Sequence, residues 1–401
     1  MSITRFDPLS IDFFENPWEM YRWLRDEQPT YHDEELGFWA VSRYDDCVEV
    51  SRDVATYTST KGLNLAQLSM ADFGKITSEM SSMMIMMDPP MHDRLRKLVN
   101  RAFTPRRIAE WEPVVQRVID DYLEQLDGAT AFDVTKDLAG PFPVEIISEI
   151  LGVPSADRQQ LRHWTDAMLE IEEGSPFPKP EGIEASINIM SYFFALVADK
   201  RLTPSDDMVG HLIDAEIERE DGTVEKLTDD EITGFLGLLI GAGSETVTKL
   251  VGNAVMTFEE WPDQRERLRA DPSLAGPAVE ECLRWKAPSQ YQGRYSLKDR
   301  EFNGVTIPAG NPVLIVTGAA NRDERAYDDP DVFDITRDGP LGISFGHGIH
   351  YCIGAHLARL EGRIALNELY RRWPTLTVDL DNVEYVHMAN VAGPSSVPVS
   401  V

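Results

Sequence analysis

The chain has 401 residues, 42% of them hydrophobic and 9% aromatic, which is enough apolar material for a large core. Its 38 lysines and arginines stand against 68 acids, and the resulting net charge of −30 argues strongly against a nucleic-acid binder and disfavours docking on anionic lipid. Three cysteines, Cys47, Cys282 and Cys352, are too few and too scattered for a disulfide framework.

Residues 1–20 lack a basic segment followed by an apolar run, so no signal peptide is expected. Helical periodicity then predicts helices over Trp18 to Glu27, Tyr44 to Ser51 and Asp93 to Ala102. It predicts further helices over Ile108 to Leu126, Val144 to Leu151, Ala156 to Ile171, Gly182 to Lys200 and Asp206 to Glu220. Strand patterns are fewer: Gly37 to Ser42 early, then Gly293 to Phe302, Val305 to Ile307 and Val313 to Thr317, and a last hairpin within Glu384 to Val401. No linker, repeat or composition shift divides residues 1–401, so one domain is expected, mainly α with small β sheets. Strand and helix do not alternate throughout, which excludes a doubly wound α/β fold. The most apolar run, Phe235 to Ala242, falls far short of the ~20 residues a membrane span needs, and the expected location is the cytosol.

One predicted helix is unusually long. Thr228 and Glu231 form a capping box, and no proline intervenes before Pro262, so the helix would run to Glu260 and span roughly 50 Å. Its middle reads Gly241-Ala242-Gly243-Ser244-Glu245-Thr246, where two glycines each weaken the helix by about 1 kcal/mol. One reading is a packing site for a crossing helix followed by a solvated acid. The other is a groove where backbone approaches a flat cofactor and small polar molecules enter.

The segment Phe345-Gly346-His347-Gly348-Ile349-His350-Tyr351-Cys352-Ile353-Gly354 precedes an apolar-periodic helix, Ala355 to Trp373. A cysteine at a helix N-terminus is favoured as thiolate by the dipole and the free N–H groups. Glycines at 348 and 354 allow unusual backbone angles and close approach of a planar ligand. Three readings stay open on these residues alone: a small buried cysteine, a nucleophile with His350 as its base, or a thiolate ligand to haem iron. A zinc site lacks a well-spaced ligand set.

The loop closely resembles the haem signature of the cytochrome P450 family, Phe-x-x-Gly-x-(Arg/His)-x-Cys-x-Gly, at Phe345, Gly348, His350, Cys352 and Gly354. Ala242, Gly243, Glu245 and Thr246 are similar to the family's long-helix pattern, and Glu281 with Arg284 to its Glu-x-x-Arg motif. Asn321-Arg322-Asp323 with Phe333-Asp334 resembles the meander before the haem loop, and Asp88-Pro89-Pro90-Met91-His92 through Arg96 the bacterial propionate segment. The elements occur in family order from about residue 17 onward. The missing membrane anchor resembles soluble bacterial members.

The resemblance implies a cytochrome P450 fold around a buried haem b. Cys352 would bind iron, with Phe345 shielding the sulfur and Gly346 and Gly354 shaping the loop. His92, Arg96, Arg294 and His350 would hold the propionates, and histidine at 350, in place of the commoner arginine, would make that contact pH-sensitive. Ala242 and Gly243 would adjoin the haem. Glu245 and Thr246 would relay protons during oxygen activation, in a helix distorted at that point, although Val247 stands where a second hydroxyl is often found. Glu281 and Arg284 would be structural. The substrate pocket would draw on Leu63 to Phe73, Met83 to Met87, Leu236 to Ile240, Ser289 to Gln292 and Met388 to Val391. Within these, Leu65, Met70, Met86, Leu236, Ile240, Gln290, Tyr291 and Val391 are the candidates, Gln290 to Gln292 orienting a substrate oxygen.

The implied reaction is hydroxylation or epoxidation of a hydrophobic small molecule such as a lipid, steroid, terpene or polyketide. It would use O2 and electrons from NAD(P)H passed through a ferredoxin reductase and a ferredoxin, since no flavin or dinucleotide fingerprint is present. A peroxide-driven haem enzyme and a non-catalytic haem or lipid binder are the alternatives, and a cysteine hydrolase is a third. From His92 to Arg107, six cations, Arg94, Arg96, Lys97, Arg101, Arg106 and Arg107, face one acid, Asp93. With Arg359 and Arg363 they would form a docking patch for an acidic ferredoxin.

Overall fold

The computed structural model describes residues 5–70, 83–100, 103–172, 174–218 and 222–401. Its axis is the helix Asp229–Glu260. Thr228 caps it: its hydroxyl accepts from the Glu231 N–H at 3.2 Å, while the Glu231 carboxylate accepts from the Thr228 N–H at 2.9 Å. From Ile232 to Phe258 all but four residues are buried, so this helix is apolar around most of its circumference and is enclosed by others. Helices Pro141–Leu151, Ser155–Leu169, Pro180–Leu202, Ala275–Trp285 and Ala355–Arg372 all pack on it.

Helix Trp18–Glu27 matches its expected bounds, and Tyr44–Arg52 and Met91–Val99 lie close to theirs; Ala102, the expected end of the third, lies outside the described residues. The helix expected over Ile108 to Leu126 is two, Pro105–Glu110 and Glu112–Glu124, meeting at Trp111. Pro113 explains the break, because it has no N–H to donate and its ring crowds the preceding turn. The helix expected over Asp206 to Glu220 stops at Asp214. Glu216–Glu218 instead pairs antiparallel with Val224–Lys226, and Gly222 ahead of the second strand takes φ +79°. Propensity over this polar stretch was too weak to separate helix from hairpin.

The main sheet has five strands in the order Thr30–Asp33, Phe38–Val41, Pro312–Ile315, Gln292–Ser296, Tyr57–Thr58. Phe38–Val41 and Pro312–Ile315 run parallel, so the two ends of the chain's β material are stitched together. The hairpin expected within Glu384 to Val401 is present, and a further strand follows it. Glu384–Tyr385 pairs with Pro394–Ser396, while Pro398–Ser400 lies between Thr377–Val378 and Ala131–Asp133. Phe6, Phe13, Tyr21, Tyr31 and Phe38 form an aromatic cluster that fastens the N-terminal segment to this sheet. No helix of the described residues is long and apolar enough to cross a membrane.

Candidate active site

Between Ile232 and Phe258 the four accessible positions of the long helix are Leu238, Ala242, Gly243 and Thr246. At 100° per residue they fall within an arc of about 140°, a single open stripe on an otherwise buried helix. The packing reading and the groove reading each hold at a different glycine. A Cβ on Gly241 would meet Met168 Cε at 2.8 Å, so that position serves a crossing helix. A Cβ on Gly243 would meet only Ile147 Cγ1 at 3.9 Å, so that position is open.

The hydroxyl of Thr246 donates to the Ala242 carbonyl at 2.8 Å, as Ser244 does to Ile240 at 2.7 Å. These are i to i−4 back-bonds that leave the helix unbroken through the segment, where a distortion was expected. Glu245 is buried at the edge of the stripe, about 20° from Leu238 around the helix. Its carboxylate pairs with Lys249 Nζ at 2.6 Å, and that ammonium also donates to the Pro394 carbonyl at 3.0 Å. It is therefore not a solvated acid. Gly393, at φ +156°, is needed here because a Cβ would stand 2.8 Å from Lys249 Cβ. Asp166, on Ser155–Leu169, has its carboxyl pushed up to about 7 by burial and by the charge of Glu245, against the pull of Arg162 and Lys249. The Glu245–Lys249 spacing of four was legible as a helical ion pair; Asp166 and Leu238 carried no sequence signal.

The cysteine loop is held by its own backbone. The Cys352 N–H donates to the Phe345 carbonyl at 2.9 Å. Gly346 and Gly348 take φ +73° and +69°, which disfavours any side chain, and a Cβ on Gly348 would stand 2.4 Å from the Ser51 carbonyl oxygen. The loop therefore seats directly on helix Tyr44–Arg52. Burial pushes the Cys352 thiol up, while N–H groups of Gly354 and Ala355 and the charges of Arg96 and Arg359 pull it back toward thiolate.

Four donors gather beside this loop. The rings of His92 and His350 lie 4.6 Å apart, and Ser59 Oγ is 3.1 Å from His350 Nε2. Arg96 donates to the Tyr351 carbonyl at 2.8 Å. Arg294 is buried and donates to the adjacent Gly293 carbonyl at 2.7 Å, and burial brings its guanidinium down to about 10 against the charge of Asp88. His350 is pushed down to about 2 by burial and by Arg294, His92 and Arg96. His92 Nε2 is buried without a partner. The pH-sensitive contact expected of His350 therefore depends on an anion arriving beside it.

Other expected residues lie elsewhere. Leu236 and Ile240 are fully enclosed in the core, about 20° and 60° past the Gly243 edge of the open stripe, where neighbouring helices cover them. Gln290 and Tyr291 are buried and spend their polar atoms internally. Gln290 accepts from Tyr21 Oη at 2.7 Å and donates to the Ala287 carbonyl, and Tyr291 Oη donates to the Ala389 carbonyl at 3.0 Å. They brace the fold and leave no group free for a substrate oxygen. Gln292 is partly accessible, but its amide donates to Ser289 Oγ at 2.7 Å. Leu65 is buried with the N-terminal aromatics, Val391 bridges to Ser289, Met70 is exposed and Met86 is half-buried. Residues 71–73 of the expected pocket lie outside the described residues.

Glu281 and Arg284 are both buried and joined at 2.7 Å. Arg284 also donates to the carbonyls of Asn321, Pro330 and Val332, and Glu281 accepts from Asp334 N–H and Arg337. The pair thus ties its helix to the segment that leads into the cysteine loop. The expected basic patch is thinner than its composition. Arg94 is tied to Glu225 and Glu231, Arg96 turns to Tyr351, Arg359 to Glu280 and Arg363 to Glu112, and Arg101 lies outside the described residues. Lys97, Arg106 and Arg107 remain exposed, the latter two beside Glu110.

Residues 67–273 and 273–388 match the family model described as Cytochrome P450. A Mycobacterium tuberculosis protein that carries the provisional name cytochrome P450 123 is 42% identical over 398 residues, 98% of this chain and 96% of the other. Vitamin D(3) 25-hydroxylase of Pseudonocardia autotrophica is 38% identical over 98% of this chain and 96% of its own. Among solved structures, the cytochrome P450 PksS of Bacillus subtilis aligns with TM-score 0.88 at 32% identity over 99% of both chains. P450BioI, in complex with an acyl carrier protein ligated to hexadec-9Z-enoic acid, gives 0.87 at 33% identity over 97% of this chain and 99% of its own.

The residues present fit the haem that this family carries. Burial raises the Cys352 thiol, and two N–H groups and two guanidiniums oppose that burial in favour of the thiolate an iron ion would bind. Beside it, two histidines and two arginines crowd together, one ring nitrogen lacks a partner, and Asp88 is the one acid acting on Arg294; a pair of propionates would relieve that excess of donors. By sequence, fold and site chemistry the chain belongs to the cytochrome P450 family, as a monooxygenase with haem b as its cofactor.

Proposed function

We propose that the haem lies between Cys352 and the open stripe of Leu238, Ala242, Gly243 and Thr246, and that the enzyme hydroxylates or epoxidises a hydrophobic small molecule. The observation that carries this reading is the stripe itself: on a helix buried for seven turns, the accessible face offers one alkyl side chain, small residues and a single hydroxyl. The haem iron, held by a thiolate, supplies activation of dioxygen and transfer of one oxygen atom to the substrate.

The chain's residues have the following roles. Cys352 binds the iron, with Phe345 covering the sulfur. His92, Arg96, Arg294 and His350 hold the propionates, and their charge-assisted bonds offset the burial of two carboxylates. Ala242 and Gly243 leave room against the haem plane. Thr246 Oγ1, anchored on the Ala242 carbonyl, holds a proton donor at the oxygen side. Glu245, held against Lys249 Nζ at 2.6 Å, passes protons to it. Leu238 and the Met83 to Met87 run, in which Met86 is partly accessible, supply a soft apolar wall. Relatives named for vitamin D(3) 25-hydroxylation and for polyketide biosynthesis support a lipophilic substrate. Electrons come from NAD(P)H through a reductase and a ferredoxin, in keeping with the partner-dependent chemistry of bacterial members.

The test is a screen of lipophilic compounds for a shift in the ferric spin state, followed by turnover of the best binder. Thr246→Ala is expected to keep haem and substrate binding while product per NAD(P)H falls severalfold and hydrogen peroxide rises, because the positioned proton donor is lost. Unchanged yield per NAD(P)H would remove Thr246 from the relay. Full turnover on peroxide with no need of reducing equivalents would favour the peroxide-driven alternative.

A further inference from the structure

No sequence motif singles out Arg359 beyond its place in a basic surface, yet it is committed inward. It lies seven residues after Cys352, at the start of the second turn of the helix Ala355–Arg372. Its guanidinium sits 4.5 Å from the centroid of the Phe345 ring. Nη1 donates to Tyr351 Oη at 3.2 Å. Nε and Nη2 make a bidentate pair with the two carboxylate oxygens of Glu280, the second at 3.1 Å. Phe345 and Tyr351 are the two arms of the loop that carries Cys352, whose N–H is bonded to the Phe345 carbonyl. One side chain thus stacks on the ring beside the cysteine, holds the residue before it and is itself neutralised by a single acid on the neighbouring helix.

We propose that Arg359 and Glu280 form a positioning pair that sets the reduction potential of the haem through the cysteine loop. The proposal rests on the reading of Cys352 as the iron ligand. Adding one electron makes the haem–thiolate unit more negative. A guanidinium close by stabilises that state and raises the potential, while the carboxylate paired with it opposes the effect. Arg359 acts in the same sense on the sulfur, where it and Arg96 are the two cations that favour thiolate. Both members are about one-quarter accessible, so the interaction is partly sheltered from solvent screening. The planar fork matters as well as the charge, since only a guanidinium can stack on Phe345 while gripping both oxygens of Glu280.

The experiment is a spectroelectrochemical titration of the haem-loaded protein with dithionite as reductant, on wild type, Arg359→Gln and Glu280→Gln, with the ferrous carbon monoxide spectrum recorded for each. Arg359→Gln leaves Glu280 unpaired and is expected to lower the potential; Glu280→Gln leaves Arg359 unopposed and is expected to raise it. Each shift should be on the order of tenfold in the one-electron equilibrium, about 59 mV. A purely structural pair would damage the site in the same direction from either side, so opposite signs distinguish tuning from support. Shifts of the same sign, or none, with the thiolate carbon monoxide band intact would overturn the proposal and leave the Cys352 reading standing. Absence of that band from the wild type would overturn both. Should Arg359→Gln lose haem, the sign of the Glu280→Gln shift decides, and a fall or no change contradicts the proposal.

Discussion

Glu245 and Asp166 are carboxylates on two different helices that act on one buried ammonium, Lys249, and only Glu245 has it as a direct partner. Asp166 is left with burial and the charge of Glu245, which bring its carboxyl up to about 7. An aspartate whose folded-state pKa lies above its unfolded value contributes stability fully below about pH 4 and loses it as pH rises through about 7. Asp166→Asn removes that loss. Each unit is worth about 1.4 kcal/mol, and the partial accessibility of the carboxylate screens much of it, so the variant should gain on the order of 1–2 kcal/mol over wild type at pH 8 and little at pH 4. Chemical denaturation at both pH values checks this, and a difference independent of pH would contradict it. The i, i+4 pairing of Glu245 with Lys249 was legible in the sequence as spacing. That the pair is buried, and that an acid from another helix reaches it, depends on how three helices pack.

Elements were legible where periodicity ran long and caps were explicit. The capping box of Thr228 and Glu231 and the absence of proline set the long helix within one residue of its observed start. Legibility failed where a short segment had to choose between turn chemistry and helix, as after Asp214, and where strands paired with distant partners, as at Pro398–Ser400. In the site, motif spacing pointed to Cys352 and to His92, Arg96, Arg294 and His350, which the fold gathers beside its loop. It did not distinguish Leu238 from Leu236 and Ile240, because that requires the rotational phase of the helix. The Glu281–Arg284 pair was expected to be structural, and its burial explains why. Glu281→Ala would leave Arg284 enclosed without its counter-charge and strip the anchor from Asp334 and Arg337. The expected cost is about 3–5 kcal/mol with loss of haem retention, measured by urea denaturation and haem content. A cost below about 1 kcal/mol would show the pair to be dispensable.

Across the whole molecule, a charge of −30 makes any local positive surface a focus for an acidic partner. Lys97, Arg106 and Arg107 are the exposed remnant of the basic segment once the inward-turned arginines are set aside. Arg106→Glu or Arg107→Glu is expected to slow reduction by an acidic ferredoxin severalfold at low salt, with spectrum and substrate affinity unchanged. The wild-type rate should fall as ionic strength rises. Stopped-flow reduction that ignores both salt and charge reversal would place docking elsewhere.

The haem reading depends on Cys352 holding iron as a thiolate, and the ferrous carbon monoxide spectrum reports on that bond directly. The purified protein should show the red-shifted Soret band typical of thiolate haem, and Cys352→His should lose it while still binding haem. A wild type without the band, or a Cys352→His variant that keeps it, would contradict the account.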